Sequence, residues 1–139
     1  MRDRTITSVC LVLFIIMNAI SCSSHSTNDE KNFTGTFTKY DATGRASSRT
    51  DTFVLAQHEK HLEGTYTRDE YISAMKMWCS YQVNGTVLFS DMAELVLTLT
   101  EAYPPNFTPE PTIMLHVMID SEGDHLSINE WEREVPRVE

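Results

Sequence analysis

With 139 residues and a formal charge of −9, the chain has room for one domain with a real core and is too short for two of ordinary size. Its acidity disfavours nucleic-acid binding and docking on anionic lipid, both of which need basic patches, and suits cations or basic partners. Three cysteines, Cys10, Cys22 and Cys79, with no CxxC or Cys/His cluster, provide neither a disulfide framework nor a zinc site, and Cys79 reads as a buried small apolar residue.

Residues 1–23 read as a secretory signal peptide. Arg2 and Arg4 give a basic start, residues 9–16 form an apolar run too short to span a bilayer, and Ala19, Ser21 and Ser23 suit a cleavage site. The expected product is secreted or held in the secretory-pathway lumen, with no membrane attachment after cleavage. Sequons at Asn32, Asn84 and Asn106 would accept glycans on that route. Residues 24–32 are polar and without apolar periodicity, a flexible lead-in to a domain over 33–139.

Phe33, Phe37 and Tyr40 fall at i, i+4 and i+7, the spacing of one helical face. Beyond a polar stretch over 41–52, Phe53, Val54, Leu55 and Ala56 belong to a second predicted helix, which Gly64 would end in the left-handed conformation. Thr67-Arg68-Asp69-Glu70 has the form of a capping box, and Tyr71, Ile72, Met75, Trp78 and Cys79 make the apolar stripe of the helix it would open. Asn84-Gly85 is a sharp turn signal. Ser90 then caps a predicted helix bearing Met92, Leu95, Val96 and Leu99, which Tyr103-Pro104-Pro105-Asn106 stops. Thr108-Pro109 opens the next, through Leu115, Val117, Met118 and Ile119, and Trp131, Val135 and Val138 mark a last short helix limited by Pro136.

The loops between these predicted helices start at Asp41, Ser80 and Asp120, at near-equal intervals that suggest internal repetition. On this register three stretches resemble the EF-hand superfamily: Leu62…Gly64…Thr67-Arg68-Asp69-Glu70-Tyr71, Asn84-Gly85-Thr86-Val87-Leu88-Phe89-Ser90-Asp91-Met92, and Asp120-Ser121-Glu122-Gly123-Asp124…Leu126-Ser127-Ile128-Asn129-Glu130-Trp131. The resemblance covers about residues 33–138, and the middle of the chain is most similar to calmodulin-like proteins. It implies an all-α fold of three EF-hand helix-loop-helix units, one paired and one odd, with a short strand between the paired loops. Val87 and Leu126 suit that strand and favour pairing the second and third loops, while a pairing of the first and second stays open. Glu59, His61, Glu63, Gly64, Tyr66 and Glu70 also match the loop template, in a competing register too near Ser80 to coexist with the loop there.

Calcium takes about six to eight oxygen ligands from such a loop. The first loop offers Asp41 and Thr43 but sets Arg45 where an oxygen is needed and Thr52 in place of the bidentate Glu, and the second offers neutral Ser80, Gln82 and Asn84 with Asp91. The third, about one residue short of the usual length, carries Asp120, Glu122, Asp124 and Glu130, the expected metal ligands of at most one weak calcium site. The resemblance therefore implies a secreted protein-binding module. Met75, Met77, Met92, Met114 and Met118 would line its groove, its protein partner is unknown, and its odd hand is able to dock on a second copy as a homodimer. The alternative is an extracellular or lumenal calcium sensor or buffer using the third loop. An enzyme is not expected: His58, Glu59, His61 and Glu63 could cluster on one helix, but no catalytic motif accompanies them.

Overall fold

The computed structural model describes residues 31–42, 44 and 46–139. They form eight antiparallel strands in chain order: β1 (Gly35–Ala42), β2 (Ser47–His58), β3 (His61–Ile72), β4 (Met75–Phe89), β5 (Met92–Tyr103), β6 (Thr112–Ile119), β7 (His125–Ile128) and β8 (Arg133–Val138). Each strand pairs with the next, and β8 returns to β1 through Thr36–Val138 and Phe37–Arg137, closing an up-and-down barrel. The described residues contain no α-helix, only a single 3-10 turn at Asn129–Trp131.

The expected all-α EF-hand architecture is thereby overturned, and the reason lies in periodicity. Ala93, Leu95 and Leu97 are fully buried while Met92, Val96 and Thr98 face outward, an alternation of two that a strand requires. Because some outward positions are also apolar, Met92, Leu95, Val96 and Leu99 can be picked out at helical spacing from what is a two-residue repeat. Leu115, Val117 and Ile119 on β6 behave likewise. On β1, Phe37 is buried but Tyr40 is 65% exposed, so the rings do not share a face.

Two glycines read as helix and turn punctuation sit inside strands. A Cβ on Gly64 would lie 1.9 Å from the Val54 carbonyl oxygen across the β2–β3 ladder, and one on Gly85 would lie 2.5 Å from Leu95 Cδ2 and 2.6 Å from the Glu94 oxygen. Only a residue without a side chain allows these strands so close, so each glycine marks a close backbone approach. The turns fall elsewhere, at Glu59-Lys60, Ser73-Ala74 and Ser90-Asp91.

The lower interior is filled by Phe37, Phe53, Leu55, Leu62, Leu95, Leu115, Val117 and Leu126. Residues 31–34 cross this end from outside. Phe33 is wholly buried, its N–H donates to Gln57 Oε1 at 2.9 Å, and Arg137 donates to the Asn32 and Thr34 carbonyls at 3.0 and 2.9 Å. The opposite end is the mouth, ringed by the β1–β2 loop, the Ser73-Ala74 turn, the long β5–β6 connection over 104–111 and the 3-10 turn. The expected signal over 1–23, and all of the lead-in but Lys31 and Asn32, lie outside the described residues, as does Arg45.

Candidate binding site at the barrel mouth

Toward the mouth the inward positions change from apolar to charged. β2 alternates Arg49, Asp51, Phe53 and Leu55 along its inner face, and Asp51 is the one fully buried charged residue among those described. Its carboxylate accepts from Arg49 Nε at 3.1 and 2.8 Å and from the Tyr66 hydroxyl at 2.6 Å. Arg133 of β8 pairs with Asp41 of β1 and reaches Asp51 Oδ2 at 2.7 Å, although off the line of an N–H bond. Arg68 of β3 comes only to 3.9 Å of Asp51. Three guanidinium groups thus share two carboxylates, leaving a local positive excess inside an acidic protein.

The three arginines are not equally engaged. Arg49 is committed to Asp51 and lies 5.8 Å from the Trp131 ring centre. Arg133 is held by two acids, although its Nε and Nη2 make no hydrogen bond among the described residues. Arg68 Nε is buried and has no hydrogen-bond partner among the described residues. A buried charged donor left unpaired is costly, so its surroundings matter.

Those surroundings are a cavity of about 340 Å³ lined by Arg68, Tyr81, Phe107, Pro109, Ile113 and Trp131. This lies at the small end of the ~300–1,000 Å³ common for ligand sites, and its lining mixes aromatic and aliphatic side chains with the polar groups of Arg68, Tyr81 and Glu110. Trp131 packs on Tyr66 and Phe53 at ring-centre distances of 5.4 and 6.2 Å, and Phe53 and Tyr66 stack at 4.5 Å, forming an aromatic floor. The 104–111 connection roofs it: the Tyr81 hydroxyl donates to the Glu110 carbonyl at 3.0 Å, and Leu99 N–H to that of Pro111 at 2.9 Å. Burial, with smaller contributions from neighbouring groups, pushes the Tyr81 phenol up to about 12. Burial and then the Asp51 charge push Tyr66 higher still, so both hydroxyls stay protonated donors at neutral pH.

The expected calcium ligands are dispersed. Asp120 and Asp124 sit in the β6–β7 loop at the closed end, where Asp120 accepts from the Asp124 N–H at 2.7 Å and faces His125 Nδ1 at 2.9 Å. Glu130 lies beyond the other end of β7 and accepts from the His116 N–H at 2.8 and 3.0 Å, with His116 Nδ1 2.6 Å away. A strand rises about 3.3 Å per residue, so β7 carries these acids apart where a loop would fold them together. Glu122 is exposed in the same loop as Asp120, and no group of three or more His, Cys, Asp or Glu among the described residues could hold a metal. Neither the calcium cofactor nor the EF-hand sensor or module survives this geometry.

Other readings change place too. Thr67-Arg68-Asp69-Glu70 is part of β3 and supplies the site's central arginine. His58, Glu59, His61 and Glu63 surround the exposed β2–β3 turn at the closed end, with His58 Nε2 3.5 Å from Glu63. The five methionines expected to line a groove are spread over β4, β5 and β6, with Met75 and Met114 exposed on separate strands. Arg49, Asp51, Tyr81 and Arg133 escaped the sequence reading. For Arg49 and Asp51 the signal was the two-residue alternation Arg49-Thr50-Asp51-Thr52-Phe53-Val54-Leu55, which carries charge and then apolar bulk along one face.

A larger cleft of about 490 Å³ opens where β1 and β8 part above their two paired positions, lined by Lys39, Ser127, Asn129, Glu132, Arg133 and Glu134. It offers no aromatic wall, and its one site arginine is already held by two acids. The mouth is the better candidate. Comparison with protein-family models, with curated proteins and with solved structures finds no match for this chain.

Proposed function

We propose that this protein binds a small organic anion in the barrel mouth, between Arg68 and the rings of Trp131, Tyr81 and Phe107. One observation carries the reading: the buried, unpartnered Nε of Arg68 on the wall of a cavity that also presents aromatic rings. An anionic head would supply the missing acceptor, and a charge-assisted bond is about twice as strong as a neutral one. The apolar body would replace water against the aromatic walls. Eight strands suit this role, since a barrel of that size is filled by its own side chains or holds one small ligand.

Trp131 is a built-in reporter, and replacing Trp78, the only other tryptophan, with Phe isolates its emission. Titration with 8-anilinonaphthalene-1-sulfonate should change Trp131 emission saturably, and Arg68→Met should weaken binding at least about tenfold, the loss expected for a hydrogen bond to a charged group. Equal affinity in both proteins would overturn the proposal.

A further inference from the structure

Resting on that reading, we infer that the ligand is a compact aromatic monocarboxylate, rather than a phosphate ester or a long acyl chain. Two independent features of the mouth restrict the ligand, one by charge and one by depth.

Charge comes first. Arg49 and Arg133 are already neutralised by Asp51 and Asp41, and Asp51 lies within 4 Å of all three guanidinium groups. Arg133 also keeps donors without a hydrogen bond, but two acids offset its charge and it does not line this cavity, so Arg68 is the guanidinium on the cavity wall. A carboxylate matches a single guanidinium fork in geometry and charge. A phosphate monoester brings nearly two negative charges and a third oxygen, and would stand near Asp51 with no second free cation to offset it. The exposed Glu110, which also lines the cavity, adds to that repulsion.

Depth is the second restriction. Below the cavity the barrel bore is closed by Phe53, Tyr66, Tyr81, Leu97 and Leu115, each at most 2% exposed. Tyr66 is fixed there by its 2.6 Å bond to Asp51 and by its stack on Phe53, so it does not swing aside without stranding a buried carboxylate. An alkyl tail longer than the mouth would have to lie in solvent. A flat ring system of about two fused rings fits within ~340 Å³ and would stack on Trp131 or Tyr81, as aromatic pairs do at ring-centre distances of about 4.5–7 Å.

The test is a competition panel against the Trp78→Phe protein, read by Trp131 emission: 2-naphthoate, 2-naphthyl phosphate, naphthalene-2-carboxamide and dodecanoate. The expected order places 2-naphthoate first by about tenfold or more over each of the others, and Arg68→Met should remove its advantage over the carboxamide. Phosphate or dodecanoate binding as well as naphthoate would overturn this inference while leaving anion binding at the mouth intact. Binding of the carboxamide as tightly as the naphthoate, or of none of the four together with none of the anilinonaphthalene sulfonate, would overturn both.

Discussion

Arg68 and Asp51 illustrate two uses of one kind of charge. Asp51 is buried at 0% exposure and answers to Arg49, Arg133 and Tyr66, so its removal would leave guanidinium groups uncompensated inside the barrel. Asp51→Asn should therefore cost about 3–5 kcal/mol, the range for breaking a buried ion pair from one side, measured by urea unfolding. Arg68, whose contact with Asp51 is long, contributes little to holding the fold. Arg68→Met should shift stability by less than about 1 kcal/mol while removing anion affinity. If instead Arg68→Met unfolded the protein and Asp51→Asn did not, the assignment of one residue to ligand and the other to scaffold would be reversed.

At the scale of elements, turns and close approaches explain much of what a sequence reading places wrongly. Ser73 and Ala74 both adopt positive φ, 51° and 67°, a conformation that two-residue hairpin turns usually give to Asn-Gly. The turn persists in part because the Ser73 N–H donates to the Ala46 carbonyl at 2.8 Å, tying the β3–β4 end to the β1–β2 loop. Replacing Ala74 with Gly should raise stability by about 1 kcal/mol, the penalty of a left-handed residue bearing a Cβ, seen as a higher urea midpoint. Gly64→Ala should act in the opposite sense and more strongly, by about 2 kcal/mol or more, since its Cβ would fall within 1.9 Å of backbone. Asn84-Gly85 carries the strongest turn signal in the chain and forms no turn. Ser73-Ala74 forms one without any signal. Local propensity is weak where neighbouring strands decide the backbone. The β6–β7 loop adds a titratable clasp. Against the cost of desolvation, His125 and the N–H groups of residues 123–125 together hold Asp120 down to about 2, and in return the Asp120 carboxylate raises His125. The Asp120 share of stability is present above the ordinary carboxylate range and fades as pH falls toward 2; the His125 share is present below the ordinary imidazole range and fades as pH rises through its raised value. The stability gap between the parent and His125→Asn should thus be widest near pH 5 and narrow on both sides, and a gap independent of pH would contradict the clasp.

For the whole molecule, the barrel separates a closed end from a working end. Residues 31–34 seal the first with Phe33, and the middle is packed with rings and branched chains, so the interior reachable from solvent lies at the other end, beneath the 104–111 connection. Part of this plan was legible. Phe37, Phe53, Leu55, Leu62, Leu95, Leu97, Leu115 and Val117 stand out as apolar in any reading, and alternation along β2, β5 and β6 was present to be counted. What misled was apolar bulk on both faces of the long strands, which satisfies helical spacing by subset, and acids spaced like a cation loop that strand β7 then pulls apart. The site itself was hardly legible. Arg49, Asp51, Arg68 and Arg133 come from three strands, and only closure of the sheet brings them together. The most direct test is therefore spatial: amide chemical-shift mapping by NMR with 2-naphthoate as ligand. The expected shifts gather at Tyr66–Asp69, Phe107–Ile113 and Asn129–Arg133, while residues 31–34, 59–60 and 88–91 at the closed end stay still. Perturbations centred on the closed end or the outer wall, with the mouth silent, would contradict the assignment of binding to the Arg68 cavity.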